Sequence, residues 1–365
     1  MPSLSALQFL AGLQSSSSDT LDFSADIEAD RLLALVRTAV DHGLVALLGR
    51  AILDGRLLAV PEPVRSDLVH AARLNGERNQ QFQRELLQLI ALCSSLGIRP
   101  VLLKSTALLL NPREHYLTDR LIGDLDILLP EQDIATLADA LRARGFINEA
   151  SAEADSAWLK HYPRLAADDH LAPIEIHRNL AEVAWRDVLP GQLAVRNAWR
   201  LMVSAEAAGL SAEDRLLHSF IHDQLDNRGW WQAKVELRGA FDAAHELMHA
   251  GRAYDWQYLE QQLAEQKLIR RFRIWLSWLA QLYPPLRPLL PFALQPEAER
   301  YARAIKRGDV FWRGLLADLM AELEQLAASS LYRRRACQRV LMPAAYRERL
   351  GRLLARLRHA RAPGA

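Results

Sequence analysis

Residues Val101 to Pro130 read VLLKSTALLLNPREHYLTDRLIGDLDILLP, and this stretch decides the fold. Two apolar runs, Ile98 to Leu103 and Leu125 to Leu129, have the length and composition of buried strands. Asp124 and Asp126 are one residue apart at the second run, so their side chains point to the same face of the strand. Neighbouring carboxylates repel each other and lose hydration, and a divalent cation between them relieves both costs. The spacing therefore predicts a magnesium site.

The composition sets broad limits on the kind of protein. Half of the 365 residues are apolar, which is enough for a sizeable core in two or three domains. The formal net charge of +1 gives no reason to expect nucleic-acid binding, and the two cysteines, Cys93 and Cys337, form no disulfide framework. The chain begins without the basic residues of a signal peptide, and no run approaches the roughly 20 apolar residues of a membrane span. We therefore expect a cytoplasmic protein with no membrane contact.

The periodicity of apolar residues divides the chain into five regions. The core reads strand, helix, strand, helix, strand, strand, and helical periodicity dominates on both sides of it, with Gly97 and Gly145 placed to end helices. The predicted fold class is therefore α+β, a small mixed α/β core between helical regions. The predicted regions are a loose N-terminal segment (1–24), an N-terminal helical region (25–97), the core (98–180), a helical domain (181–330) and a basic helical tail (331–365).

The core contains the parts that polymerase-type nucleotidyl transfer requires. That reaction uses two magnesium ions held by carboxylates on a rigid strand, a small loop at a helix N-terminus for the triphosphate, and a third carboxylate on a neighbouring strand. Lys104 and Ser105 lie where the first strand gives way to a helix, and the two aspartates follow on the next strand. Glu175 interrupts the later apolar strand IEIH, where a carboxylate without a partner would be costly. The order of these residues indicates one shared site.

The same residues resemble the uncharacterised nucleotidyltransferase family, a branch of the DNA polymerase β-like superfamily. The family pattern is a hydrophobic strand ending in Lys-Gly, then a Tyr, then Arg-x-x-Gly-Asp-x-Asp, and later Glu-x-His. The matching residues, over a resemblance that covers roughly residues 27 to 265, are Lys104-Ser105, Tyr116, Arg120 to Asp126 and Glu175 to His177. Ser105 departs from the pattern, but the Gly-Ser turn of the wider superfamily accommodates a serine. The resemblance implies a small polymerase β-like nucleotidyltransferase core.

The residues and the resemblance together lead to the expected function. We expect transfer of a nucleoside monophosphate from an NTP such as ATP to an acceptor, with release of pyrophosphate. The acceptor class stays open between a small molecule, a peptide, a protein and RNA. The expected catalytic residues, which also bind two Mg²⁺ ions with Mn²⁺ as an alternative, are Asp124, Asp126 and Glu175. The expected nucleotide-binding residues are Lys104, Ser105, Arg120 and Tyr116. The residues expected to border the cleft are His177, His222 and Asp223.

Each residue also has a structural explanation that needs no catalysis. The aspartates fit a solvated strand edge, Glu175 fits a salt bridge with Arg178, and Arg120 fits an ion pair with Asp119. A catalytically silent protein that binds a nucleotide or a partner on the same fold is thus the first alternative function. A complete set of three carboxylates argues against it, since a binding protein does not need all three.

A second alternative is a metal-dependent phosphohydrolase of the HD type. His218, His222 and Asp223 lie on a predicted helix, and histidines four residues apart share one helix face. Asp242 would complete such a site. This alternative is less favoured, because a helix of this kind generally packs on a sheet.

The C-terminal tail differs in charge from the rest of the chain. From Leu331 onward it carries ten arginines and one carboxylate, Glu348. Such a charge run is typical of a solvated face or of a contact with an anionic partner such as RNA or an acidic peptide.

Overall fold

The computed structural model describes residues 4–15, 29–57, 60–110, 119–148, 159–200, 205–249, 254–307, 311–330 and 333–334. Tyr116 and almost all of the basic tail lie outside these residues, so their predicted roles stay predictions. Among the helices that are described, none combines the length and the apolar character that crossing a membrane requires.

The described N-terminal part consists of four helices: α1 (Leu4–Ser15), α2 (Ala29–Asp41), α3 (Val45–Leu53) and α4 (Glu62–Ser95). The sequence predicted a loose segment over residues 1–24, but Leu4–Ser15 within it forms helix α1. Leu7, Leu10 and Leu13 of this helix are buried in the larger of two hydrophobic clusters, here called the main core. Spacings of three residues place these leucines on one helix face, which provides the apolar contact that stabilises so short a helix.

A mixed sheet follows, and the predicted α+β fold class is confirmed. Its seven described strands lie in the order β3-β4-β5-β2-β1-β7-β6, with β1 antiparallel to β2 and parallel to β7, and β2 parallel to β5. In chain order the strands are β1 (Val101–Leu102), β2 (Leu125–Leu128), β3 (Ile147–Asn148), β4 (Leu165–Ala166), β5 (Ile174–His177), β6 (Trp199–Arg200) and β7 (Ala208–Gly209). Helix α5 (Lys104–Leu108) lies between β1 and β2 in the chain, and helix α6 (Glu131–Arg142) lies between β2 and β3.

The two faces of β2 enter different clusters. Leu125 and Ile127 are buried in the second cluster, together with apolar residues of α4 and α6. Leu128 is buried in the main core, on the opposite face. Because strand residues alternate, Asp126 shares the face of Leu128. The alternation thus directs the aspartate away from α4 and α6, toward the side of the sheet that the main core covers.

The described C-terminal part is helical. A π-helical turn at Ile221–Asp226 continues the helix Ala212–Phe220. Ser211 caps the start of this helix, because its Oγ accepts a hydrogen bond from the Asp214 backbone N–H at 3.1 Å. The helices are α7 (Gly191–Asn197), α8 (Ala212–Phe220), α9 (Gly229–Gln232), α10 (Leu237–His249), α11 (Trp256–Ala264), α12 (Ile269–Leu282), α13 (Glu299–Arg307) and α14 (Phe311–Ala328).

Gly49 sets the close approach of α3 to α4, and its replacement gives a testable result. A Cβ at Gly49 would lie 1.9 Å from the Leu68 carbonyl oxygen and 2.8 Å from the Cβ of Ala72. Since backbone must move, Gly49→Ala is expected to lower the free energy of unfolding by about 1–3 kcal/mol or more. Gly239→Ala is the matched control, because a Cβ there meets no atom within 4 Å, and a change below about 1 kcal/mol is expected. Urea denaturation measures both, and equal destabilisation would contradict the packing argument.

Candidate active site

The pairing of β2 with β5 brings two predicted acids together. Asp126 lies directly opposite Glu175, and Leu128 lies opposite His177. Ligand atoms of Asp126, Glu175 and His177 all lie within 4.8 Å of one another. Asp126 is 2% exposed, whereas Glu175 is partly exposed. Two strands that are far apart in the chain therefore form one acidic site, here called the acidic cluster.

Asp124 belongs electrostatically to the acidic cluster. It lies one residue before β2 and is partly exposed. Burial and the negative charges of Asp126 and Glu175 raise the pKa of Asp124 to about 6, although Lys104 and Arg164 oppose the shift. The three carboxylates therefore repel one another, which is the situation that a bound divalent cation relieves.

The raised pKa of Asp124 predicts a pH-dependent stability effect. Its pKa is about 6 in the folded protein against the ordinary 3.8, so the folded state loses stability as the pH rises from about 4 to about 6. Asp124→Asn lacks this penalty. We expect the variant to exceed the wild type in free energy of unfolding at pH 8, and to lose that advantage below about pH 4. Urea denaturation in EDTA at the two pH values checks this, and an equal advantage at both would exclude the electrostatic cause.

Two donors hold the Asp126 carboxylate in place. Lys104 Nζ donates to Oδ1 at 2.8 Å, and His177 Nε2 lies 2.7 Å from the same oxygen. Burial alone would raise the pKa of Asp126, but the hydrogen bond from His177 and the charge of Lys104 hold it well below its usual range. Burial also acts to raise the pKa of Glu175, and His177 reverses that effect as well. Asp126 is therefore ionised near neutral pH and available to a cation.

The first turn of α5 and the residue before it are attached to β2 through the main chain of Asp126. The buried Thr106 Oγ1 accepts a hydrogen bond from the Asp126 backbone N–H at 2.7 Å, and the Leu103 N–H donates to the Asp126 carbonyl at 3.0 Å. Lys104 has a φ of 46°, a left-handed conformation that is uncommon for a residue other than glycine. Helix α5 has only five residues, so its dipole is small. The binding of a phosphate here would therefore depend on the Lys104 charge and the Ser105 hydroxyl. The predicted roles of these two residues stay predictions.

Arg120 links Ser105 of α5 to the C-terminal helices. Its Nε donates to Ser105 Oγ at 3.0 Å, its Nη1 to the Arg238 carbonyl at 2.9 Å, and its Nη2 to Asp242 Oδ2 at 2.5 Å. The sequence analysis considered Asp242 for the HD-type alternative. The structure instead makes it the ion-pair partner of Arg120.

Helix α4 supports the same segment from the other side. Asn75 Nδ2 and Asn79 Nδ2 both donate to the Arg120 carbonyl, at 3.0 and 2.6 Å. The sequence analysis missed both residues, and the available signal was a pair of asparagines four residues apart on the buried side of a long helix. Together with Arg120, they fix the segment that leads into Asp124.

His222 and Asp223, the two residues of the π-helical turn that were expected to border the cleft, have different surroundings in the structure. Asp223 is buried in the main core rather than at the cleft border, because it accepts hydrogen bonds from Gln224 Nε2 at 2.9 Å and Trp275 Nε1 at 3.1 Å. Burial raises its pKa to about 7. Burial and the charges of Lys104 and Lys160 lower the pKa of His222 to about 3. The His222 ring is therefore neutral near pH 7 and lies within the field of these two lysines.

The HD-type alternative gains no support from this geometry. The rings of His218 and His222 are 6.3 Å apart, and Asp223 and Asp242 each have the structural partners described above. Within the described ranges, the acids and histidines close enough to share a metal ion are Asp126, Glu175 and His177.

A buried ion pair of Lys160 with Asp226, at 2.8 Å, anchors the π-helical turn near the site and was not predicted.

Comparison with known proteins agrees with the geometry. The family described as "Uncharacterised nucleotidyltransferase" matches residues 28–284, which is well over half of the chain and contains the whole acidic cluster. Searches of curated proteins and of solved structures find no match. Nucleotidyl transfer is the general reaction that this family indicates, and an NTP is the substrate it implies. The chain belongs to the uncharacterised nucleotidyltransferase family.

Proposed function

We propose that the protein transfers a nucleoside monophosphate from an NTP to a hydroxyl-bearing acceptor and releases pyrophosphate. The observation that carries this proposal is the register of β2 and β5, which sets Asp126 opposite Glu175. Burial and then the charges of these two acids raise the pKa of Asp124, which supports counting it as the third carboxylate of the site. A binding protein would gain nothing from crowding three acids whose repulsion costs stability.

The residues present fit magnesium. Carboxylate oxygens are the ligands that this hard cation prefers, and the repulsion within the acidic cluster would fall when it binds. Asp124, Asp126 and Glu175 would hold the metal, with Mn²⁺ able to replace Mg²⁺. When bound, the metal supplies positive charge that offsets the charge developing on the phosphate and lowers the pKa of the attacking hydroxyl.

The remaining steps follow from side chains of this chain. The Lys104 ammonium, 25% exposed, can exchange its contact with Asp126 for a phosphate oxygen of the NTP. Ser105, whose hydroxyl Arg120 orients, contacts the same phosphates. Glu175 accepts the proton of the acceptor hydroxyl as the new oxygen–phosphorus bond forms at the α-phosphate and the bond to pyrophosphate breaks.

The test incubates the purified protein with each α-labelled NTP, Mg²⁺ and a cell extract. We expect label to enter a compound whose mass has increased by one nucleoside monophosphate, with pyrophosphate released in equal amount and no transfer in EDTA. Nucleotide binding without consumption of any NTP would refute the proposal.

That negative outcome would favour the catalytically silent alternative, and one observation supports considering it. Lys104 already balances the charge of Asp126, and Lys104 and His177 both hold its carboxylate, as they would in a protein that needs no metal. The alternative predicts that NTP affinity does not change when Mg²⁺ is removed, whereas the proposed function predicts a large loss of affinity.

A further inference from the structure

His177 is placed where it serves either as a metal ligand or as a donor to a metal ligand. Its Nε2 lies 2.7 Å from Asp126 Oδ1 and 3.6 Å from Glu175 Oε2. Two ligands that bind one ion at about 2.1 Å and at right angles lie about 3 Å apart. The distances alone therefore fit both roles, and the position of the imidazole proton decides between them.

The second ring nitrogen indicates where that proton lies. The His177 side chain is 1% exposed, and its Nδ1 is shielded from solvent with no hydrogen-bond partner among the described residues. An imidazole that binds a metal through Nε2 carries its proton on Nδ1, and that N–H normally donates to a nearby acceptor. At His177 such an N–H would be buried without an acceptor among the described residues, which is costly. With the proton on Nε2, Nδ1 carries only an acceptor lone pair, and the Nε2–H group faces Asp126 Oδ1 at 2.7 Å.

With the proton on Nε2, His177 donates to Asp126 Oδ1. Lys104 donates to the same oxygen, so both described donors to this carboxylate reach Oδ1. Because Lys104 and His177 both donate to Oδ1, they restrict the rotation of the carboxylate plane. Oδ2 is then the oxygen that can bind a cation. A metal bound in this way meets carboxylate oxygens and no nitrogen, a set that suits Mg²⁺ and Mn²⁺ better than Zn²⁺.

We infer that His177 is a positioning residue that orients Asp126 and is not itself a ligand of the divalent cation. The inference rests on the proposed function, because it concerns the metal of that reaction. It also excludes the ligand set that proximity alone suggests, namely Asp126, Glu175 and His177 around one ion.

The test examines the full-length protein loaded with Mn²⁺ alone, without NTP. Electron spin echo envelope modulation detects ¹⁴N bound directly to Mn²⁺, and we expect no such coupling in the wild type. His177→Ala is expected to weaken Mn²⁺ binding by about 10–100-fold, the range for losing a partner of a metal ligand. His177→Gln, whose amide N–H reaches Asp126 in place of Nε2, is expected to restore most of the affinity. His170→Gln is the matched control, since His170 stacks on Phe146 and lies 3.8 Å from Glu85.

Each outcome supports or overturns the inference. Directly bound ¹⁴N that disappears in His177→Gln would make His177 a ligand, and equal losses of affinity in the Ala and Gln variants would remove the donor role. The wild-type spectrum decides the question even where a variant fails to fold. Absence of any Mn²⁺ binding would overturn the inference and the proposed function together. Nitrogen-free Mn²⁺ binding without NTP turnover would overturn the proposed function alone.

Discussion

Asp126→Asn is expected to reduce nucleotidyl transfer by at least about 10²–10³-fold, the range for losing one central electrostatic group of an active site. Asp126 is ionised by its contacts with Lys104 and His177 and lies opposite Glu175, so it carries the negative charge at the centre of the acidic cluster. Asparagine removes that charge and adds an N–H group that would face the cation. The remaining acids are then too few to hold a metal between them and the phosphates.

The same substitution is expected to leave the fold intact. The backbone N–H of residue 126 keeps its bond to Thr106, and the amide oxygen can still accept from His177. Steady-state transfer assays and circular dichroism at the same protein concentration check both expectations. Asp169→Asn, on an exposed residue outside the acidic cluster, is the control and should keep full activity. Unchanged turnover in the Asp126 variant would remove the assignment of the active site.

Arg120→Met is expected to affect both stability and activity. Burial raises the pKa of Asp242 to about 6 even beside Arg120, so without the guanidinium this carboxylate would lose its main compensation. Asp242 is still 24% exposed, so we expect a loss of about 1–3 kcal/mol in free energy of unfolding, below the about 3–5 kcal/mol of a fully buried pair. The KM for NTP is also expected to rise, because Ser105 loses the group that orients its hydroxyl.

A double substitution separates these two effects. Arg120→Met combined with Asp242→Asn removes the unpaired carboxylate, so it should recover much of the stability without recovering the KM. Arg270→Met is the control, because Arg270 is 74% exposed in its pair with Glu297 and a change within about 1 kcal/mol is expected. Urea denaturation and NTP saturation curves provide the measurements. Recovery of the KM in the double variant would show that Arg120 acts on folding alone.

The parts of the site that were predictable depend on local pattern. Asp124 and Asp126 share a face because strand residues alternate, and the apolar residues around them indicate burial. The same reasoning predicted Glu175 as an acid that needs a partner in a buried strand. The periodicity of α4 predicted a long helix, and Gly97 ends it in the left-handed conformation that glycine favours.

Contacts between distant segments were not predictable in this way. The patterns contain no information on register or on distant contacts, so the pairing of Asp126 with Glu175 was a hypothesis, and Asp242 was not predicted as the partner of Arg120. Helix α1 was missed because a serine run follows it, although its leucines contact the main core. Asp223 was expected at the cleft, because a sequence does not show which side of a helix meets Trp275.

The sequence by itself determined the fold class, the two-residue spacing of the aspartates and the membership of the segment in a nucleotidyltransferase pattern, because each depends on residues that are neighbours in the chain. Only the tertiary structure decided which donors hold Asp126, which anion balances Arg120 and which oxygen of Asp126 lies against His177. These features depend on distances of a few ångströms between side chains far apart in sequence, and such distances result from the packing of the whole chain.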